Sequence, residues 1–186
     1  MITTADFRNG LVVVLDNELM EIVDFQHVKP GKGGAFVRAK FKNTLTGRVL
    51  ERTFRSGERM EEAEIEEQTW QYLYHDGDFY HVMHPETYEQ AVIGEDVVGD
   101  SKYWMKENNT INLFFYKGKV IKVKVPIAVE LQVVQCEPGI QGDRATGGTK
   151  PATLETGATI QVPLFIGEGE VLKVDTRTGS YIARVK

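Results

Sequence analysis

The sequence predicts an all-β protein made of three small units, each the size of a β-barrel. Three observations carry that expectation. Apolar and polar residues alternate with a period of two in short runs, and no long stretch follows the 3.6-residue period of a helix. Turn-forming dipeptides punctuate the chain between those runs. Finally, Leu113-Phe114-Phe115-Tyr116-Lys117-Gly118-Lys119-Val120-Ile121-Lys122-Val123 aligns without a gap on Leu164-Phe165-Ile166-Gly167-Glu168-Gly169-Glu170-Val171-Leu172-Lys173-Val174. The offset is 51 residues, the scale of one small barrel. Two ordinary hairpins of similar composition would give the same match, and that alternative stays open.

The elements follow in order. Strands are predicted over 11–15 and 19–28, parted by Asp16-Asn17, and over 36–42 and 49–54, parted by Thr46-Gly47. The run Glu61, Glu62, Glu64, Glu66, Glu67 alternates too imperfectly with Met60, Ala63 and Ile65 to be assigned to helix or strand. Strands 70–74 and 80–83 flank Asp76-Gly77, with short helical turns expected at 85–90 and 98–104. Strands 111–116 and 120–125 flank Lys117-Gly118, 129–135 and 160–165 follow, and 171–176 and 181–185 flank Thr178-Gly179. Joints fall near 64 and 127, where Pro126 restricts the residue before it and cannot donate to a sheet. The expected units are therefore 1–64, 65–127 and 128–186. A unit of that size buries only about 60% of its unfolded surface and is marginal alone.

With 186 residues, 41% of them hydrophobic and 26% charged, the chain reads as soluble and globular. No apolar run approaches the roughly 20 residues that span a bilayer, and the first residues lack the basic start and apolar block of a signal peptide. Cys136 is the only cysteine, so no intrachain disulfide forms. A cytoplasmic chain with no membrane partner is expected.

The net charge of −5 argues superficially against a nucleic-acid partner, but its distribution reverses the impression. Between 29 and 59 stand nine basic residues against Glu51 and Glu58, a local net charge of +7. Residues 64–127 carry −5. Local field decides docking on phosphate more than the total does. A solvated strand face would show the same composition. What favours binding is the tip inside this window, Lys29-Pro30-Gly31-Lys32-Gly33-Gly34-Ala35-Phe36. Pro30 fixes φ and removes a donor, while Gly31, Gly33 and Gly34 permit left-handed or bulged backbone. Met20, Ile22, Phe25 and Val28 precede the tip, and Phe36, Val37, Ala39 and Phe41 follow it, so Lys32 is lifted clear of two strands.

Enzymatic signatures are missing. There is no phosphate-loop pattern, no His-Glu-x-x-His and no cysteine pair for zinc. His81 and His84, with Asp76, Asp78 and Glu86 nearby, fall short of the three or four converging ligands a metal site needs. The clustered glutamates lack a hydrophobic pocket to tune one of them as an acid. A glycine-flanked Lys32 has no desolvation to activate it for Schiff-base chemistry. Neither an enzyme nor a cofactor is expected.

Five segments, in order, carry a resemblance: 24–38, Gln71-Tyr72-Leu73-Tyr74, Thr87-Tyr88-Glu89-Gln90, the block 150–158 running on to Val162-Pro163-Leu164-Phe165, and the ending 174–181. Together they resemble the bacterial translation elongation factor P family over essentially the whole chain. The resemblance implies an N-terminal SH3-like (KOW-type) barrel followed by two OB-folds in an L-shaped, tRNA-like arrangement. It implies a monomer that binds the 70S ribosome between the peptidyl-tRNA and exit-tRNA sites and relieves stalling at consecutive prolines. Lys32 matches the family's tip residue, which commonly carries an extension added by a lysine-modifying enzyme. Lys29, Arg38, Lys40 and Lys42 are then expected to contact RNA, with Lys32 steadying the CCA end of the peptidyl-tRNA. Gly142-Asp143-Arg144 matches the family's messenger-RNA-facing Gly-Asp-Thr motif except at its third position, so the threonine's role does not carry over to Arg144. A general single-stranded-RNA-binding OB-fold protein is the alternative, although such proteins line a basic groove with stacked aromatics.

Overall fold

A computed structural model describes residues 1–139 and 148–186. Its strands are β1 (Ile2–Thr3), β2 (Val12–Leu15), β3 (Glu18–Val28), β4 (Phe36–Asn43), β5 (Val49–Arg55), β6 (Arg59–Glu62), β7 (Glu66–His75), β8 (Phe79–Met83), β9 (Gln90–Gly94), β10 (Thr110–Tyr116), β11 (Lys119–Lys124), β12 (Ala128–Cys136), β13 (Thr149–Leu154), β14 (Thr159–Pro163), β15 (Val171–Asp175) and β16 (Ser180–Arg184). One short α-helix, α1 (Glu95–Val98), runs into a 3-10 segment at Gly99–Trp104. The protein is all-β, with three sheets in the orders β1-β6-β2-β3-β4-β5, β11-β10-β7-β8-β9 and β14-β13-β12-β15-β16. By packing, the chain divides into two compact units, Met1–Gln68 with Leu113–Lys122 and Thr69–Asn112 with Val123–Lys186.

In the first unit, alternation along β4 sends Val37, Ala39 and Phe41 inward and leaves Arg38, Lys40 and Lys42 exposed. Phe7, from the segment after the first strand, meets Phe25, Phe41 and Phe54 edge-to-face, and Phe41 meets Phe54; centroids lie 5.8 to 6.4 Å apart. These rings fill the core beneath β3 and β4, with Val13, Met20 and Ile22 around them. Buried Thr4 ties the β5–β6 turn down, its Oγ1 accepting from the Gly57 N–H at 2.9 Å.

In the second unit, β12 serves two partners. Residues 128–132 pair with β15, and a bulge between Val133 and Gln135 redirects the strand so that 133–136 pair with β13. Contacts between β14 and β16 draw the sheet towards closure around Leu131, Leu154, Val162, Leu172 and Val174.

Several expectations change. The short turn expected at 85–90 is a single one that goes no further: the Tyr88 N–H donates to the His84 carbonyl at 3.0 Å, the His84 Nδ1 accepts from the N–H groups of Glu86 and Thr87, both at 3.2 Å, Tyr88 takes φ 59°, and Gln90 already belongs to β9. Of the glutamate run, Glu61 and Glu62 belong to β6 and Glu66 and Glu67 to β7, with Glu64 in the link between them. β13 is a strand that the sequence reading leaves out; its Pro151 is tolerated because β12 pairs only with Ala152, Thr153 and Leu154. The internal repeat holds only in its second half. Val120–Val123 and Val171–Val174 both lie in strands, but Leu113–Tyr116 is strand β10 whereas 164–167 follows Pro163 as a turn.

Candidate nucleic-acid interface at the β3–β4 hairpin

Strands β3 and β4 pair antiparallel from Met20 with Asn43 up to Val28 with Phe36, leaving 29–35 as the connecting tip. A bulge between Ile22 and Asp24 twists β3 midway. The stem is secured below the tip, where the Ser56 N–H donates to the Ala35 carbonyl at 3.1 Å. At the other end of β4, buried Asn43 organises the turn to β5: its Oδ1 accepts from the N–H groups of Leu45 and Thr46, both at 2.9 Å, and its Nδ2 donates to Glu18 Oε2 at 3.0 Å.

Within the tip only Gly33 takes a left-handed φ, +108°; Gly31 and Gly34 do not. Of the three glycines that permit left-handed backbone, one uses it. The Pro30 ring lies 4.0 Å from where a Cβ on Gly33 would sit, so Pro30 and Gly33 face each other across the turn. Lys29, Pro30, Gly31, Lys32, Gly33 and Gly34 are all exposed. Lys32 makes no ion pair or hydrogen bond among the described residues.

The basic face behind the tip is less free than its composition suggests. Arg38 Nε stands 3.6 Å from Glu51 Oε1, both side chains being about half exposed. Lys40 lies between Asp24 and Glu51 in cross-strand register, and Lys42 opposite Glu21. Arg52, on the other phase of β5, is paired with Asp16. Exposed pairs of this kind contribute little to stability, but each occupies a cation. The cations of the window with no ion pair among the described residues are Lys29, Lys32, Lys40, Lys42, Arg48, Arg55 and Arg59. The tip thus carries Lys29 and Lys32 unopposed, while Arg38, Lys40 and Lys42 share their face with carboxylates. Gly142, Asp143 and Arg144 lie outside the described residues.

The candidate histidines have structural partners. His81 Nε2 is 2.7 Å from Asp76 Oδ2, and His84 caps the β8–β9 turn with its ring edge-on to Trp70. Among the described residues no group of three or more His, Cys, Asp or Glu is placed to hold a metal ion. Asn43 and Thr4, which fix the frame around the hairpin, escaped the sequence reading; the only trace of Asn43 was its place before Thr46-Gly47.

Family models match this chain in three consecutive stretches. They are the Elongation factor P KOW-like domain over residues 3–60, the Elongation factor P OB domain over 65–123 and the Elongation factor P C-terminal domain over 129–184. Similar curated proteins include Elongation factor P of Caldanaerobacter subterraneus subsp. tengcongensis, 54% identical over 185 residues and covering 100% of both chains. That of Corynebacterium diphtheriae is 52% identical, covering 100% of this chain and 99% of its own. The chain belongs to the elongation factor P family. It is a translation factor and not an enzyme, and membership implies interaction with the ribosome and tRNA. Among solved structures, a eukaryotic translation initiation factor 5A from Methanococcus jannaschii superposes with a TM-score of 0.54 at 22% identity. It covers 66% of this chain and 94% of its own, a likeness of fold. No described helix is long and apolar enough to cross a membrane.

Proposed function

We propose that this elongation factor P family member acts in the cytoplasm as a monomer, binds the ribosome between the peptidyl-tRNA and exit-tRNA sites, and stimulates peptide-bond formation at consecutive prolines. The observation that carries the reading is the amine of Lys32, unpaired among the described residues and held at an exposed turn above a packed aromatic stem. In this reading Lys32 contributes placement, and no acid–base or nucleophilic step is assigned to the tip. A proline nucleophile is a ring-constrained secondary amine, and a nascent proline stretch holds the ester in poor geometry. Orienting the reactants is worth several kcal/mol in favourable cases, and each tenfold in rate corresponds to about 1.4 kcal/mol.

In this account the Lys32 ammonium meets backbone phosphate and 2′-hydroxyls near the CCA end, contacts that set position without reading sequence. Lysine has a flexible four-carbon stem, so extension by a modifying enzyme would lengthen its reach, and the exposed tip leaves it open to one. Lys29 and the unpaired amines of Lys40 and Lys42 add non-specific attraction to the acceptor arm.

The test is Lys32→Ala in a translation system with a Pro-Pro-Pro reporter. Pausing should return to the level without the factor, while circular dichroism and thermal midpoint stay those of the parent. Full relief of pausing by the variant removes Lys32 from the mechanism.

A further inference from the structure

The outer face of β7, β8 and β9 carries aromatic and apolar side chains that lie open to solvent. Phe79 and Tyr74 are each 47% exposed and Val92 is 54% exposed. Alternation along β8 puts Tyr80 and Val82 in the core and Phe79 and His81 on the outside. On β7 the same rule would bury Tyr74 alongside Trp70 and Tyr72. A bulge between Tyr72 and Tyr74 instead turns Tyr74 outward, into register with His81, which pairs in turn with Val92.

The rings are held in place before any partner arrives. Tyr74 stacks on His81 with centroids 4.4 Å apart and planes 10° from parallel. His81 Nε2 is fixed by Asp76 Oδ2 at 2.7 Å, while Asp76 Oδ1 accepts from the N–H groups of Asp78 at 2.8 Å and Phe79 at 2.7 Å. A preorganised aromatic surface loses little entropy on binding.

Charge selects the occupant. Segment 69–112 holds eight carboxylates against two lysines, a net charge of −6. Those lysines are already engaged, Lys102 with Glu95 at 2.8 Å and Lys106 with Glu155 at 3.7 Å. A nucleic acid approaching this segment meets repulsion at long range, whereas a cationic peptide meets attraction and, on the outer face, aromatic rings at contact. Guanidinium and ammonium groups bind such faces through the ring quadrupole. We propose that the Tyr74–His81–Val92 face, with Phe79 beside it, docks an arginine- or lysine-rich segment of a protein partner. The inference rests on the ribosome reading above only for where that partner is found. The protein then engages by two chemically different surfaces: an amine tip towards RNA and an acidic aromatic face towards basic protein.

A photoreactive diazirine amino acid placed at Val92, and separately at Lys32, tests this with 70S ribosomes, because the group inserts into protein and RNA alike. Irradiation should attach position 92 to a protein, at a peptide bearing Arg or Lys. Phe79→Ala, which changes no charge, and Asp78→Lys, at an exposed position, should each lower the yield about fivefold. An adduct to RNA alone, or a yield indifferent to both changes, overturns the proposal. Adducts from position 32 with none from 92 sink this inference and leave the functional reading standing. No adduct from either position sinks both.

Discussion

Lys32 and Gly33 are adjacent, yet their constraints differ in kind. Lys32 is limited by nothing around it, whereas Gly33 is limited by its own backbone, at φ +108°. A Cβ on Gly33 would meet only the Pro30 ring at 4.0 Å, so Gly33→Ala creates no collision. Its cost is conformational, about 1–2 kcal/mol for forcing an L-residue into left-handed space. Gly31 has neither a left-handed φ nor any atom near its would-be Cβ. Gly31→Ala should therefore be neutral or stabilise by up to about 1 kcal/mol through the unfolded chain. Urea unfolding of the two variants reads this directly, and equal destabilisation would refute the assignment of strain to Gly33. That a lysine sat on an exposed turn was legible from Pro30 and three glycines within five residues. Which glycine bends the chain was not, because glycine identity permits a left-handed φ without requiring it.

Among the elements, β4 was the most legible, since strict alternation of Val37, Ala39 and Phe41 with Arg38, Lys40 and Lys42 assigns both faces at once. The bulges after Ile22, Tyr72 and Val133 were invisible, because a bulge is a mismatch between two strands and no single run contains it. Each has a consequence at a surface or a core: the second turns Tyr74 outward, and the third lets β12 serve two neighbours. The β13 strand was hidden for a related reason. Pro151 reads as a breaker unless one knows that β12 has already stopped pairing at Ala152. Asn43 is the residue on which the β4–β5 connection depends. Asn43→Ala strips a partner from two backbone N–H groups and from Glu18, and should lower stability by about 1–3 kcal/mol. Asn43→Asp keeps an acceptor for the two N–H groups but sets a second carboxylate against Glu18, so at neutral pH its loss should be no smaller than that of the alanine variant. Hydrogen exchange of the Leu45 and Thr46 amides provides a local check, with faster exchange expected in the alanine variant.

At the scale of the whole molecule, the sequence distinguished a chain of net charge −5 from its window of +7. It could not say which of those cations remain available. Cross-strand arrangement decides that: Glu51 holds Arg38, Asp16 holds Arg52 from the β2–β3 turn, and Lys40 and Lys42 keep unpaired amines beside the carboxylates that the register of β3, β4 and β5 sets opposite them. Counting basic residues thus overstates the phosphate contacts this protein can make. The excess is measurable, because each phosphate neutralised by a cation releases counterions and steepens the fall of log K with log salt by about 0.7–0.9. Lys29→Gln, at an exposed and unpaired position, should flatten the slope for ribosome binding by roughly one contact and weaken affinity across all ribosomal states. Arg52→Gln removes the same formal charge from the same window, but it also frees Asp16 from a cation already held within the protein. Its slope should remain that of the parent. Fluorescence anisotropy of labelled protein titrated with 70S ribosomes over a salt series compares the two. Equal slope changes would mean that the Asp16–Arg52 pair opens on binding and that total charge, not its arrangement, governs docking.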